Sequence, residues 1–171
     1  DLVTTAGAAT VKANFVSGLQ LDADSADITA AANVENASIK ANDDATITAV
    51  NVIGSSVIAA NGDATITATA NVDNVDISGA EVQVAAENIL TSKIVASGNA
   101  LLVAANKIDG VIATAASFID ATPGNDFTIE NFLLDTVDGV ENQTVAGSGD
   151  ATGNAGITAV RIDNSQFTSA G

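Results

Sequence analysis

The sequence predicts an all-β chain folded as a single parallel β-solenoid over 1–171, with about eight coils of about 18 residues each. Three observations predict it. Asparagines recur at Asn14, Asn33, Asn51, Asn71, Asn88 and Asn106 in steps of 19, 18, 20, 17 and 18 residues, and Asn131 extends the series. Short β-branched runs alternate apolar and polar residues, with Gly, Asn and Asp collected between them. The apolar material is uniform: 47% of the chain is hydrophobic, yet it contains five Phe and no Trp, Tyr, Met or Cys. A fixed period near 18 marks one supersecondary unit stacked on copies of itself. A narrow, evenly filled interior of Ala, Val, Ile and Leu suits such a stack.

The coils follow in order. TVKANFVSGLQLDA from Thr10 is the first. Next come segments opening on the asparagines: NVENASIKA at Asn33, NVIGSSVIA at Asn51, NVDNVDISG at Asn71 and NILTSKIVA at Asn88. Upstream of each lies a second short strand: ADITAAA from Ala26, ATITAV from Ala45, ATITATA from Ala64, VQVAA from Val82 and LLVAA from Leu101. Within these, Ile47 and Ala49 face one way, Thr46 and Thr48 the other. Helix is excluded because Val, Ile, Thr, Asn and Gly interrupt the alanines every few residues. Strands this short at this period fit parallel pairing of each strand with its copy one coil away. FTIENFLLDTVDG from Phe127 and GITAVRIDNSQFTS from Gly156 continue the pattern, with Arg161 at the asparagine position. Two loop insertions, 118–126 and 141–155, are expected to bulge from the stack.

Charge narrows the partners. The formal net charge is −16, from 21 acids against Lys12, Lys40, Lys93, Lys107 and Arg161. Phosphate backbones and anionic lipid surfaces both need clustered cations, so neither nucleic acid nor a membrane surface is an expected partner. No apolar run is long enough for a membrane span. Absent cysteine excludes disulfides and thiolate metal sites. The chain starts at Asp1 without a Met, so an exported protein, extracellular or at the cell surface after signal-peptide removal, is expected.

The asparagine series is expected to form a structural ladder at one corner. Asn tolerates left-handed backbone, and amides stacked about 4.8 Å apart can donate to one neighbour and accept from another. Acids crowd the other turns: Asp44, Asp63 and Glu81 each stand three residues before Ile47, Ile66 and Val84, with Asp22, Asp24, Asp27 and Asp43 nearby. In-register carboxylates repel, and a hard cation such as Ca²⁺ would relieve that; these seven acids are the candidate calcium ligands, against a solubilising acidic edge. Thr46, Thr48, Thr65, Thr67 and Thr69 form an outward Thr-x-Thr patch of the kind ice-binding solenoids carry, with Lys12, Gln83 and Leu102 in neighbouring strands.

Catalysis is not expected. His, Cys and Tyr are absent and cations are scarce, so nucleophile–base pairs and charge stabilisers are missing. No cofactor is implied beyond possible Ca²⁺. Two glycosylation triplets occur: Asn36-Ala37-Ser38, read within a strand repeat, and Asn142-Gln143-Thr144, where the second insertion has room for a glycan.

The degenerate Ala, Val, Thr, Asn and Gly repeats, with DATITA at Asp44 and again at Asp63, resemble the β-solenoid shafts of microbial surface proteins of the filamentous-haemagglutinin and polyadhesin type. Bactofilin-like cytoskeletal solenoids are a second comparison. Repeat-like sequence begins by Thr10 and runs through Arg161 and Phe167, so the expected partner is a second copy, head to tail. The resulting expectation is a structural subunit of an extracellular filament, sheath or surface layer. The alternative is an adhesive, ligand-binding or ice-binding module of a larger surface protein.

Overall fold

The computed structural model describes residues 2–4, 6–116, 119–123, 129–130, 132–136, 140–141, 144–145, 155–159, 162–163 and 166–167, with side chains described for 6–116. Every described strand pairs in parallel with its copy in an adjacent coil, and the chain is a parallel β-solenoid with three faces. The first face stacks Ala8–Ala13, Ser25–Ala30, Ala45–Ala49, Ala64–Ala68, the leading halves of Val82–Leu90 and Ala100–Asp109, and Ile119–Pro123. On the second face lie Val16–Ser17, Asn33–Glu35, Asn51–Ile53, Asn71–Asp73, the trailing halves of the same two long strands, and Ile129–Glu130. The third is a nine-stranded sheet running from Leu2–Thr4 through Gln20–Ala23, Ser38–Ala41, Ser56–Ala59, Asp76–Gly79, Lys93–Ala96 and Ile112–Ala115 to Phe132–Thr136 and Ala155–Ala159.

The stack amounts to about 6 turns rather than the expected eight. Near the end of the chain, Val140–Glu141 pairs with Ile162–Asp163 and Thr144–Val145 with Gln166–Phe167 as separate two-stranded sheets. Counting coils by sequence likeness overran where those strands leave the long sheets. The expected insertions are also shorter. Ile119–Pro123 is a strand of the first face, with Ile119 opposite Ala100 and Pro123 opposite Ala104, so 118–126 is not a loop across those positions. Glu141, Thr144–Val145 and Ala155 are likewise strand residues within 141–155, and the remainder of both stretches lies outside the described residues.

Three inward columns make the core. Ile28, Ile47, Ile66, Val84 and Leu102 stack inside the first face; Val34, Val52, Val72, Ile89 and Ile108 inside the second; Leu21, Ile39, Val57, Ile77, Ile94 and Ala113 inside the third. All are buried. Burying each large aliphatic side chain is worth about 2 kcal/mol before entropy is counted. Ala and Gly79 flank these columns where strands approach the corners, because there the opposing backbone leaves little room. Leu102 points inward, and its neighbours Leu101 and Val103 are the exposed ones.

Among the described residues, the corner between the second and third faces is left-handed in six successive coils. Gly18, Asn36, Gly54, Asn74, Thr91 and Gly110 have φ of 62, 52, 58, 53, 45 and 64°. Each stands two residues after an inward second-face Val or Ile, and turns the chain onto the third face. Gly, Asn and Asp reach this region at low cost, whereas a β-branched residue such as Thr91 does not. The expected left-handed corner therefore exists, but it sits three residues beyond Asn33, Asn51, Asn71 and Asn88, and four beyond Asn106. Asn36 belongs to it: exposed, between strands that end at Glu35 and begin at Ser38, and so not inside a strand.

Candidate functional site

The most ordered polar feature is an amide ladder along the second face. Asn51 Nδ2 donates to Asn33 Oδ1 at 2.9 Å, Asn71 Nδ2 to Asn51 Oδ1 at 2.8 Å, Asn88 Nδ2 to Asn71 Oδ1 at 2.8 Å, and Asn106 Nδ2 to Asn88 Oδ1 at 2.8 Å. Every rung donates toward the N-terminal coil, so the amide dipoles align and reinforce one another. The ladder forms because Asn33, Asn51 and Asn71 open second-face strands, Asn88 lies within Val82–Leu90, and the next residue in each case is a buried Val or Ile. That inward anchor sets the pleat and turns the asparagine outward at the same height in every coil.

Both ends depart from the spacing. Val16 pairs with Val34, which puts Phe15, 47% exposed, in register with Asn33. Asn14 stands one residue off the column, and its carbonyl accepts the Ala32 N–H at 2.7 Å. With no amide beneath it, Asn33 turns its Nδ2 to Glu35 Oε1 at 2.9 Å. At the other end the strand Ala100–Asp109 carries an irregularity opposite Ala86–Asn88, and Lys107, not Asn106, lies in backbone register with Asn88. The extra residue is absorbed as a bulge. Asn106 still reaches Asn88, while Lys107 pairs with Asp109 at 2.7 Å. Asn131 and Arg161 lie outside the described residues.

Two buried serines escaped the sequence reading. Ser55 and Ser92, each 3% exposed, follow the left-handed residue in their coils. Ser55 Oγ donates to the Ile53 carbonyl at 3.0 Å and accepts the Ala37 N–H at 3.1 Å. Ser92 repeats this with the Leu90 carbonyl at 2.6 Å and the Val75 N–H at 3.2 Å. Each thus ties its own turn to the preceding coil. Their signal was present as Ser at the same offset in GSS and LTS, three residues after the inward Val52 and Ile89.

The acidic corner carries a different geometry. Asp44 Oδ1 accepts the Asp63 N–H at 2.9 Å, and Asp63 Oδ1 accepts the Glu81 N–H at 3.1 Å. These carboxylates cap backbone amides of the next coil at the turn onto the first face. The other candidate calcium ligands do not converge on them. Asp22 projects from the third face opposite Lys40, Asp27 from the first face between Thr10 and Thr46, and Asp24 and Asp43 occupy the corner, joined by the Asp43 N–H to the Asp24 carbonyl at 2.6 Å. Among the described residues, no three His, Cys, Asp or Glu side chains come together in a way that could hold a metal ion.

The outward side of the first face is a threonine grid larger than the sequence patch. Thr29, Thr48 and Thr67 stack in one column and Thr46 and Thr65 in the next, with Thr69 beyond. Asp27 and Gln83 bound it in the second column, Lys12 and Ala85 in the first. Past it the same face becomes apolar at Leu101 and Val103. The concavities found among the described residues are shallow and open, one of them beside Ala68, Thr69, Ala85, Glu87 and Val103. No helix there is long and apolar enough to cross a membrane. No protein-family model, curated protein or solved structure is significantly similar to this chain.

Proposed function

We propose that this chain is a structural subunit of an extracellular filament, sheath or surface layer, assembling by end-to-end stacking of its solenoid. The observation that carries this reading is the polarity of the amide ladder. Asn51, Asn71 and Asn88 each accept from the following coil and donate to the preceding one, through the same side chain. A coil from a second copy would meet complementary groups at such a surface. The contact is heterologous and does not close on itself, so it propagates as a fibre. The parallel backbone pairing has the same polarity, and the outer faces offer threonine, serine and acidic side chains that keep the shaft hydrated. Sedimentation across a wide concentration range, followed by electron microscopy, tests the proposal. Rods that lengthen with concentration are expected, whereas a persistent monomer at high concentration removes the filament reading.

A second reading, a ligand-binding or adhesive module, is favoured by one feature: Leu101, Val103 and Ile112 are 37, 40 and 47% exposed on neighbouring faces of adjoining strands. Saturable binding of a ligand by a monomer that never forms rods selects this reading.

A further inference from the structure

Asn61 and Gly62 form the chain's sole Asn-Gly pair, and both lie in the turn between Ser56–Ala59 and Ala64–Ala68. Glycine is required there. A Cβ at position 62 would sit 2.5 Å from the Asp43 carbonyl carbon and 2.7 Å from the Asp44 nitrogen, so only a residue without a side chain lets the two coils approach. The amides on either side of Gly62 are engaged: Asn61 N–H with the Asn42 carbonyl at 2.9 Å, Asp63 N–H with Asp44 Oδ1 at 2.9 Å. Gly62 N–H makes no hydrogen bond among the described residues. The Asn61 side chain is exposed, its Nδ2 donating to Asn42 Oδ1 at 3.0 Å and to the Asn42 carbonyl at 3.2 Å.

We propose that Asn61 is a self-modification site, converted by its own chain to aspartate and isoaspartate. The Gly62 nitrogen gives up its proton and attacks Asn61 Cγ, a new C–N bond closes the five-membered succinimide, and the amide nitrogen leaves as ammonia. Water then opens the ring. Cleavage between Cγ and the Gly62 nitrogen leaves aspartate; cleavage between the main-chain carbonyl carbon and that nitrogen leaves isoaspartate, with the backbone running through the side chain. Nothing is oxidised or reduced, and water is the one co-reactant. A glycine, with no side chain of its own to hinder ring closure and with an unengaged N–H, is the nucleophile this chemistry needs.

The ladder asparagines are the internal contrast. Asn33, Asn51, Asn71 and Asn88 are followed by buried β-branched Val34, Val52, Val72 and Ile89, whose bulk hinders ring closure, and those residues sit in paired strands. Conversion at Asn61 has two consequences for the stack. The product carboxylate cannot donate to Asn42, and it adds negative charge beside the exposed Asp43, Asp44 and Asp63. The isoaspartate form also lengthens the corner by one backbone atom, against the in-register pairing on either side.

The test ages the folded protein at mildly alkaline pH and follows each asparagine by peptide mass spectrometry, with enzymatic methyl labelling to count isoaspartate. Loss of amide concentrated at Asn61, with Asn51 and Asn71 intact over the same interval, is expected. Asn61→Gln, whose longer side chain closes a six-membered ring far more slowly, is expected to remove the signal while keeping an amide at the corner. An Asn61 as durable as Asn51 overturns the proposal. So does conversion that proceeds only in denaturant, or equally at every asparagine.

Discussion

Asn71→Ala probes the ladder at its middle. In the native stack Asn71 Nδ2 donates to Asn51 Oδ1 and Asn71 Oδ1 accepts from Asn88 Nδ2, both at 2.8 Å. Truncation deletes both bonds. Asn51 Oδ1 keeps a partner, because it also accepts the main-chain N–H of residue 71 at 3.1 Å, but Asn88 Nδ2 loses its acceptor. A net side-chain hydrogen bond contributes about 1 kcal/mol, so two make the expected cost about 2 kcal/mol, held down because these side chains are only partly buried. Asn106→Ala deletes one described bond, from an exposed residue, and is expected to cost about half as much or less. Urea unfolding followed by far-UV circular dichroism reads both, and the Asn71→Ala/Asn88→Ala double mutant should show coupling of about 1 kcal/mol through the deleted rung. Equal costs for Asn71→Ala and Asn106→Ala, or a double mutant that is simply additive, would refute the cooperative ladder.

Two further outcomes follow from the corners. Asp63→Asn keeps an oxygen that can accept the Glu81 N–H and removes a charge from an acidic corner, so its urea midpoint should match or exceed wild type, whereas Asp63→Ala should lose about 1 kcal/mol; a Ca²⁺-dependent loss in Asp63→Asn would instead show that the charge serves a cation. Thr91→Gly relieves a β-branched residue at φ 45° at the entropic disadvantage of glycine, and a gain of up to about 1 kcal/mol is expected in the same assay; a loss would show that the Thr91 side chain stabilises the corner by packing.

The period, the all-β class, the parallel stacking and the inward Ile and Val columns could be read from the chain by itself. They follow from local chemistry: β-branched residues alternating with period two, turn formers between them, and a composition with too few bulky side chains for any but a narrow core. The middle rungs of the ladder were equally legible, because an asparagine before a buried Val or Ile repeats at Asn33, Asn51, Asn71 and Asn88. What only the folded stack decided is where each uneven step is absorbed. Second-face steps from Val34 onward run 18, 20, 17 and 19 residues to Val52, Val72, Ile89 and Ile108, and sequence spacing does not say which corner takes up the difference. Pairing does: it put Phe15 instead of Asn14 on the ladder column, turned Leu102 inward and Leu101 outward, and carried the left-handed corner to Gly18, Asn36, Gly54, Asn74, Thr91 and Gly110. The same pairing brought the Asp44 and Asp63 carboxylates onto backbone amides one coil away and left Asp22 and Asp27 on separate faces. Because side chains alternate with a period of two, a slip of a single residue exchanges core for solvent, and only the hydrogen-bonded register between coils prevents it.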